Sequence, residues 1–467
     1  MVAKIVAKGY GVREVSIKCP HGERSSANID WRHGIRSLYV LLGIRLPSGF
    51  PSETVLRLGL FSIVLLAFAL RFRWLLLAVQ SSMPLPLDAN VYMAGASELL
   101  HLSYSSWREP TFPIIAALFL SIFGVSIATF RFSTVCLGTL VVFLTYQIAR
   151  RTSSASAGLL ASFLVATNIL LIWNSIRGLR EELFSCILLA LIFLIVRSSD
   201  GLSAKSSIIA GFLAATLCLT KLEGLIVVAG VSAYQVWHSK IFQTKIDWRF
   251  IAIILISSII AIFAWFGFRG LFFNDPFEAT TVQGTYWYWY EFGVEGKRVT
   301  AFDYIFHYHT AEEILFLFPA RGIIRIMRIL NELWFLTPIG FGLLCLGFLT
   351  LLKSERSTVL HFALLSGLMS YLFFFGVGEK GADHRLLFPY IPIFCLMIAS
   401  ASTATYTILA RNRENLIKSG FVLDLRLWSK TTIRLLEPYY LAALAILSPF
   451  ALVAIHLAGY LLSFPRP

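Results

Sequence analysis

LGLFSIVLLAFALRFRWLLLAVQ, residues 58–80, runs directly into SSMPLPLDANVY, residues 81–92. The first part is apolar over 58–79 and long enough, at about 1.5 Å per residue, to cross the hydrocarbon of a bilayer. The prolines at 84 and 86 end it, and Asp88 follows where the chain should re-enter a helix. A membrane span that opens onto a short loop carrying a carboxylate is the pattern from which the rest of the chain is read.

Upstream, residues 1–57 are polar and carry nine Lys/Arg, which places the first apolar run too far in for a cleaved leader and puts the N-terminus on the cytoplasmic side. Downstream, further apolar runs lie near 131–149, 157–174, 183–197, 207–222, 224–237, 250–271, 331–352, 358–376, 386–409 and 438–462. Together with 58–79 these predict an all-α polytopic protein of about eleven transmembrane helices. Phe112–Gly124 is only 13 residues long and reads as an interfacial segment. Leaving it out puts 24 of the 40 Lys/Arg in cytoplasmic loops and termini, as the positive-inside rule requires; counting it as a span would invert Arg150, Arg151 and the basic 409–437 segment. The expected organisation is a basic segment 1–57, a transmembrane module 58–271 with a first extracytoplasmic loop at 80–130 that holds interfacial helices, an aromatic-rich extracytoplasmic loop 272–330, and C-terminal helices 331–467.

Composition agrees: 57% of the 467 residues are apolar and 14% charged, with mean hydropathy +0.74, whereas soluble domains carry about a quarter charged. The net charge of +14 belongs to the flanks of apolar runs and does not indicate nucleic acid. The six cysteines form no C-x-x-C pair, five lie in apolar runs as small hydrophobes, and Cys19 with His21 is too little for zinc. No phosphate loop, dinucleotide fingerprint or H-E-x-x-H occurs, which removes support for ATP-driven transport and zincin proteolysis and leaves no nucleotide cofactor.

The polar residues that this background does not explain gather on the expected extracytoplasmic side. Asp88 is either a helix N-cap or a general base at a membrane mouth. Arg177, Arg180, Glu181 and Glu182 crowd one turn, either as an ion-paired corner or with an acid facing Asp88. Lys221 and Glu223 interrupt an apolar stretch, where an ionisable group points to function. His384 and Arg385 open a span; the arginine fork suits a phosphate, and snorkelling is the alternative. Tyr286–Tyr290 reads YWYWY, an interfacial belt or a sugar-stacking surface, while Arg321, Arg325 and Arg328 share a helical stripe.

Taken in order, Asp88-x-x-x-Tyr92, Arg108-Glu109-Pro110-x-x-Pro113, Phe123-Gly124, Arg131-Phe-Ser, Arg177–Phe184, Thr220-Lys221 and His384-Arg385-x-x-x-Pro389 resemble the GT-C class of membrane glycosyltransferases. The likeness is to the protein O-mannosyltransferase, lipid A aminoarabinose transferase and lipopolysaccharide-core galacturonosyltransferase group, over about residues 80–390. The resemblance implies an extracytoplasmic site that moves a sugar from a polyprenyl-phosphate donor to a hydroxyl of a protein, glycan or lipid, with inversion. Asp88 would be the base, Glu181 or Glu182 the second acid, and Arg385 and Lys221 would hold the lipid phosphate. Tyr92, Glu109, Arg131, Arg177 and His384 would complete the substrate site. The cofactor is left open: if a divalent cation, Mg or Mn, takes part, Asp88 and Glu181 would be its ligands. The acidic pair common in relatives is absent, since Ala89 follows Asp88. Within the same fold class the lipid-linked-oligosaccharide mannosyltransferases are an alternative, and a secondary transporter is the rival outside it.

Overall fold

The computed structural model describes residues 52–106, 108–198, 203–241, 246–273, 275–324, 338–352, 358–376 and 384–418. Most of the basic segment 1–57, Arg325, Arg328, Asp383 and the span expected at 438–462 lie outside the described residues. The chain divides into units Met1–Val55 and Leu56–Pro467, and all that follows concerns the second.

Among the described residues the fold is helical, without strands. Helix α1 covers Ser52–Gln80, α2 Leu87–Leu100, α3 Thr111–Phe123, α4 Ile127–Thr152, α5 Ala155–Thr167, α6 Ile169–Ile176, α7 Glu181–Arg197 and α8 Ala204–Thr220. They are followed by α9 Gly224–Ile241, α10 Trp248–Phe273, α11 Glu278–Phe292 and α12 Ala301–His307. After a π-turn at Glu313–Leu317 come α13 Pro338–Leu352, α14 Thr358–Gly376, a 3-10 segment His384–Tyr390 and α15 Ile391–Lys418.

Local chemistry sets several of these boundaries. Ser126, Ser154, Asn168 and Ser203 each cap the helix that follows, accepting amide hydrogen bonds from Thr129 (3.0 Å), Ala157 (3.1 Å), Leu170 and Leu171 (3.1 Å each) and Ser206 (3.2 Å). Asn168 ends α5 and starts α6, so the expected 157–174 span is a bent pair with a 54° break.

Leu56–Gln80, Ile127–Thr152, Trp248–Phe273 and Leu387–Thr405 are long and apolar enough to cross a bilayer, and α5 with α6 would make a fifth crossing. Helices occupy the runs read at 183–197 and 207–222, each 17 residues long. Helix α3, with 13 residues, is too short to span, in line with its sequence reading. The chain is a multi-pass membrane protein. Helix α7, buried on nearly every side, is the centre of the bundle. It packs on α4 and α8, α8 lies along α10, and α4 also receives α3, α5 and α6.

Candidate active site

The first loop is built onto the bundle by arginines. Arg131, 1% exposed on α4, donates from Nη2 to the carbonyls of Met83 (2.7 Å) and Pro84 (3.1 Å), fixing where the chain leaves α1. Pro86 takes the N-cap position of α2, as a residue with fixed φ and no amide proton can, so Asp88 sits within the first turn rather than at the cap. Its carboxylate pairs with Arg108 from the far end of the same loop. The Tyr104 hydroxyl donates to the Arg108 carbonyl at 2.9 Å, and Gly95 makes room for that ring: a Cβ there would lie 2.9 Å from Tyr104 Cε2.

A second arginine joins this loop to the turn before α7. Arg180 pairs with Glu109 and donates to the Thr220 carbonyl at 3.1 Å. The turn owes its shape to Gly178, whose φ of +71° is left-handed and whose absent side chain admits Phe130; a Cβ would meet Phe130 Cε1 at 2.6 Å. Tyr92 lies between the two ion pairs. The guanidinium carbons of Arg108 and Arg180 are each 5.7 Å from its ring centroid, and Phe112 meets it edge-on. The ring is 1% exposed, so Tyr92 is a buried spacer between two cations.

Burial pushes the Tyr92 phenol up, with Arg180 and Arg108 pulling the other way, and it stays neutral at physiological pH. For Arg180, burial alone would lower the guanidinium, but Glu109 outweighs it, helped by Tyr92, Glu181 and Glu223, and the net displacement is upward. Arg180 is therefore a permanent cation.

The neighbouring glutamates part company. Both are 2% exposed. Glu181 acts electrostatically on Tyr92 and Arg180 and so belongs to the loop cluster. Glu182 turns into the bundle, where Asn174 and Ser175 donate to its Oε1 at 3.1 and 2.9 Å and Arg71 donates from Nε to Ser175 Oγ at 3.2 Å. Arg71, fully buried on α1, also donates to the carbonyls of Ala166 (3.2 Å) and Val165 (3.3 Å), which the break at Asn168 leaves outside the helical ladder. Gly138 of α4 leaves the space, since a Cβ there would stand 2.4 Å from Ser175 Oγ and 2.9 Å from Arg71 Nε. Sequence reading missed Arg71; the signal was available, an arginine inside an uninterrupted apolar run.

The other cations are near this cluster in the chain or in packing. Lys221 ends α8 and pairs with Glu223 at 2.7 Å. Arg177 ends α6, half-buried, with no side-chain hydrogen bond or ion pair among the described residues. The 3-10 segment that carries His384 and Arg385 packs on α6 and α7, while the side chains of those two residues lie outside the described residues.

Arg269, 3% exposed near the end of α10, closes the loop from another side, donating to the Ser106 carbonyl at 3.2 Å and pairing with Glu278. Beyond it, residues 278–324 form their own small core of Trp287, Tyr288, Val299, Tyr304, Ile305 and Phe318. Glu291 pins it by accepting from Tyr304 and pairing with Arg321 (3.2 Å), with His309 Nε2 3.4 Å away. The aromatic run thus divides: Trp287 and Tyr288 are core, while Tyr286 and Trp289 are each 38% exposed.

As a metal centre the residues fit poorly. Asp88 is balanced by Arg108 and Glu109 by Arg180, and among the described residues no three His, Cys, Asp or Glu side chains gather as a ligand set.

Residues 108–265 match the family described as dolichyl-phosphate-mannose-protein mannosyltransferase. Among solved structures, the chain superposes on the archaeal oligosaccharyltransferase AglB of Archaeoglobus fulgidus, solved with an inhibitory peptide and a dolichol-phosphate, with TM-score 0.51 and 15% identity over 84% of this chain and 54% of that one. It also superposes on ArnT of Cupriavidus metallidurans, bound to undecaprenyl phosphate, with TM-score 0.52 and 12% identity over 86% of this chain and 70% of that one. The fold is that of a GT-C membrane glycosyltransferase. The chain spans about half the length of the archaeal enzyme. No curated protein matches it in sequence.

Proposed function

We propose that this GT-C chain transfers a sugar from a polyprenyl-phosphate donor to a hydroxyl of a protein, glycan or lipid acceptor on the extracytoplasmic side, with Asp88 as the base. The observation that carries the reading is a carboxylate in the loop after the first span, held by Arg108, with Tyr92 between that pair and the Glu109–Arg180 pair. The loop 80–130 is the catalytic feature of the 58–271 module.

In this reading the acceptor oxygen forms a bond to the anomeric carbon from the face opposite the phosphate while its proton passes to the Asp88 carboxylate. The carbon–oxygen bond to the lipid phosphate breaks and its electron pair leaves with the phosphate, which inverts the anomeric centre. Charge grows on the leaving phosphate as the bond breaks, so cations placed there favour the transition state over the bound donor. Arg385, Arg177 and Lys221 are the candidates for that role. Arg108 has a second part to play. Arg108 holds one oxygen of the Asp88 carboxylate, which orients the other toward the acceptor, and the same guanidinium is a group to which an incoming phosphate can bind. Glu181 is the second acid of the site, whereas Glu182 acts on its architecture through Arg71.

The test is sugar transfer from a panel of polyprenyl-phosphate sugars by the purified full chain in lipid, wild type beside Asp88→Asn, with and without EDTA. Transfer by the wild type and its loss in Asp88→Asn supports the reading. Equal transfer by both proteins removes Asp88 from the mechanism.

A further inference from the structure

The apolar run of α1 contains two arginines with opposite environments. Arg71 is fully buried and bonded, whereas Arg73 is exposed. Arg73 lies on the outward face that also presents Leu65 (55% exposed), Phe72, Leu76 and Leu77, and it is the one charged residue on that face between 58 and 80. It stands seven residues before the helix end at Gln80, about 10 Å along the axis, within the apolar part of the span. Among the described residues it makes no ion pair or side-chain hydrogen bond. Intramembrane arginines normally turn to the bundle interior and pair there, as Arg71 does. One that faces outward requires its anion from the surrounding lipid.

The adjoining surface is apolar and open to the rest of such a molecule. Phe68, Phe72, Arg73, Leu76 and Gln80 line a shallow open groove along α1. Phe132 of α4 packs against two of these rings, meeting Phe68 and Phe72 edge-on at 6.3 Å each. We propose that Arg73 and the groove beside it bind one anionic phospholipid, with its phosphate on the guanidinium and an acyl chain along Phe68 and Phe72. The site shares no residue with the Asp88 cluster and stands whether or not the sugar-transfer reading holds.

Native mass spectrometry of the full chain, titrated with phosphatidylglycerol or phosphatidylcholine of matched chains, tests this in wild type, Arg73→Gln, Arg73→Lys and, as a control at a helix end, Arg150→Gln. The expected result is one phosphatidylglycerol retained in preference to phosphatidylcholine by wild type and Arg150→Gln, a loss of at least about tenfold in affinity in Arg73→Gln, and partial retention in Arg73→Lys. Equal retention of both lipids by the wild type, or unchanged phosphatidylglycerol binding in Arg73→Gln, would reduce Arg73 to a side chain reaching for bulk headgroups and overturn the proposal. Displacement of the phosphatidylglycerol by undecaprenyl phosphate at equal concentration would overturn it in favour of a polyprenyl site.

Discussion

Asp88 and Glu182 are both carboxylates at helix starts, yet their surroundings separate them. Asp88→Asn removes the proton acceptor but keeps the shape, and because Pro86 holds the N-cap position it costs the helix no cap. A drop in transfer of about 10²-fold or more, with an unchanged melting temperature in detergent, is the expected outcome. A melting temperature that falls in step with activity would mean that Asp88 acts through the Arg108 pair alone. Arg71→Ala should do the reverse and act on stability. It strands Glu182 and two carbonyls in a buried, apolar setting, and breaking one side of such a network costs about 3–5 kcal/mol. Thermal unfolding of Arg71→Ala beside Arg71→Lys measures it; a melting point within a degree of wild type would show that water takes over these bonds. The position of Asp88 after a span was legible in the sequence, because a span followed by prolines leaves few places for a helix to restart. Its partner was not, since Arg108 reaches it from 20 residues away and only the folded loop sets that contact.

At the level of elements, the site depends on how a turn and a loop lock together. Gly178→Ala forces a side chain into a left-handed backbone position and against Phe130, with a cost of about 1–3 kcal/mol. Since Arg180 follows within two residues, transfer should fall more steeply than stability; a loss of stability with full activity would uncouple the turn from the site. The Glu109–Arg180 pair predicts strong non-additivity. Glu109→Gln and Arg180→Gln should each weaken transfer, and the double variant should be little worse than the poorer single, a coupling that a double-mutant cycle reads directly. Hydropathy located the helices because it is a property of single runs, and the short length of α3 was readable for the same reason. The break at Asn168 was not, although Asn is a strong N-cap, because an apolar run hides a cap that lies inside it. The sequence also left open whether YWYWY was a belt or a stacking surface, and two of its rings proved to be the core of the 278–324 region, a matter of tertiary packing that local pattern does not report.

For the whole molecule, the remaining proposition is sidedness, read from where the basic residues fall. A cysteine placed at Leu102, 98% exposed in the first loop, should react with a membrane-impermeant maleimide added to sealed right-side-out vesicles, and one placed at Arg150 should react only after permeabilisation. The opposite pattern would put the Asp88 cluster in the cytoplasm and end the extracytoplasmic reading. Length and composition gave away the membrane and the helical class at once, and the ordered motifs carried the GT-C likeness that superposition repeats at 12–15% identity. At such divergence the fold persists through burial and helix contacts while individual polar groups are exchanged.

The bonds from Arg71 to Val165 and Ala166 join positions 94 and 95 residues apart. During synthesis α1 is therefore made before three of its arginine's acceptors, the carbonyls of Val165 and Ala166 and the hydroxyl of Ser175, while the Ala67 carbonyl one turn back (3.2 Å) is already within reach. Until α5 and α6 follow, Arg71 lacks most of its native bonds, and an arginine left so in an apolar interior is costly. The full burial of α1 is thereby tied to a partner that comes much later in the chain, the broken helix that offers those carbonyls.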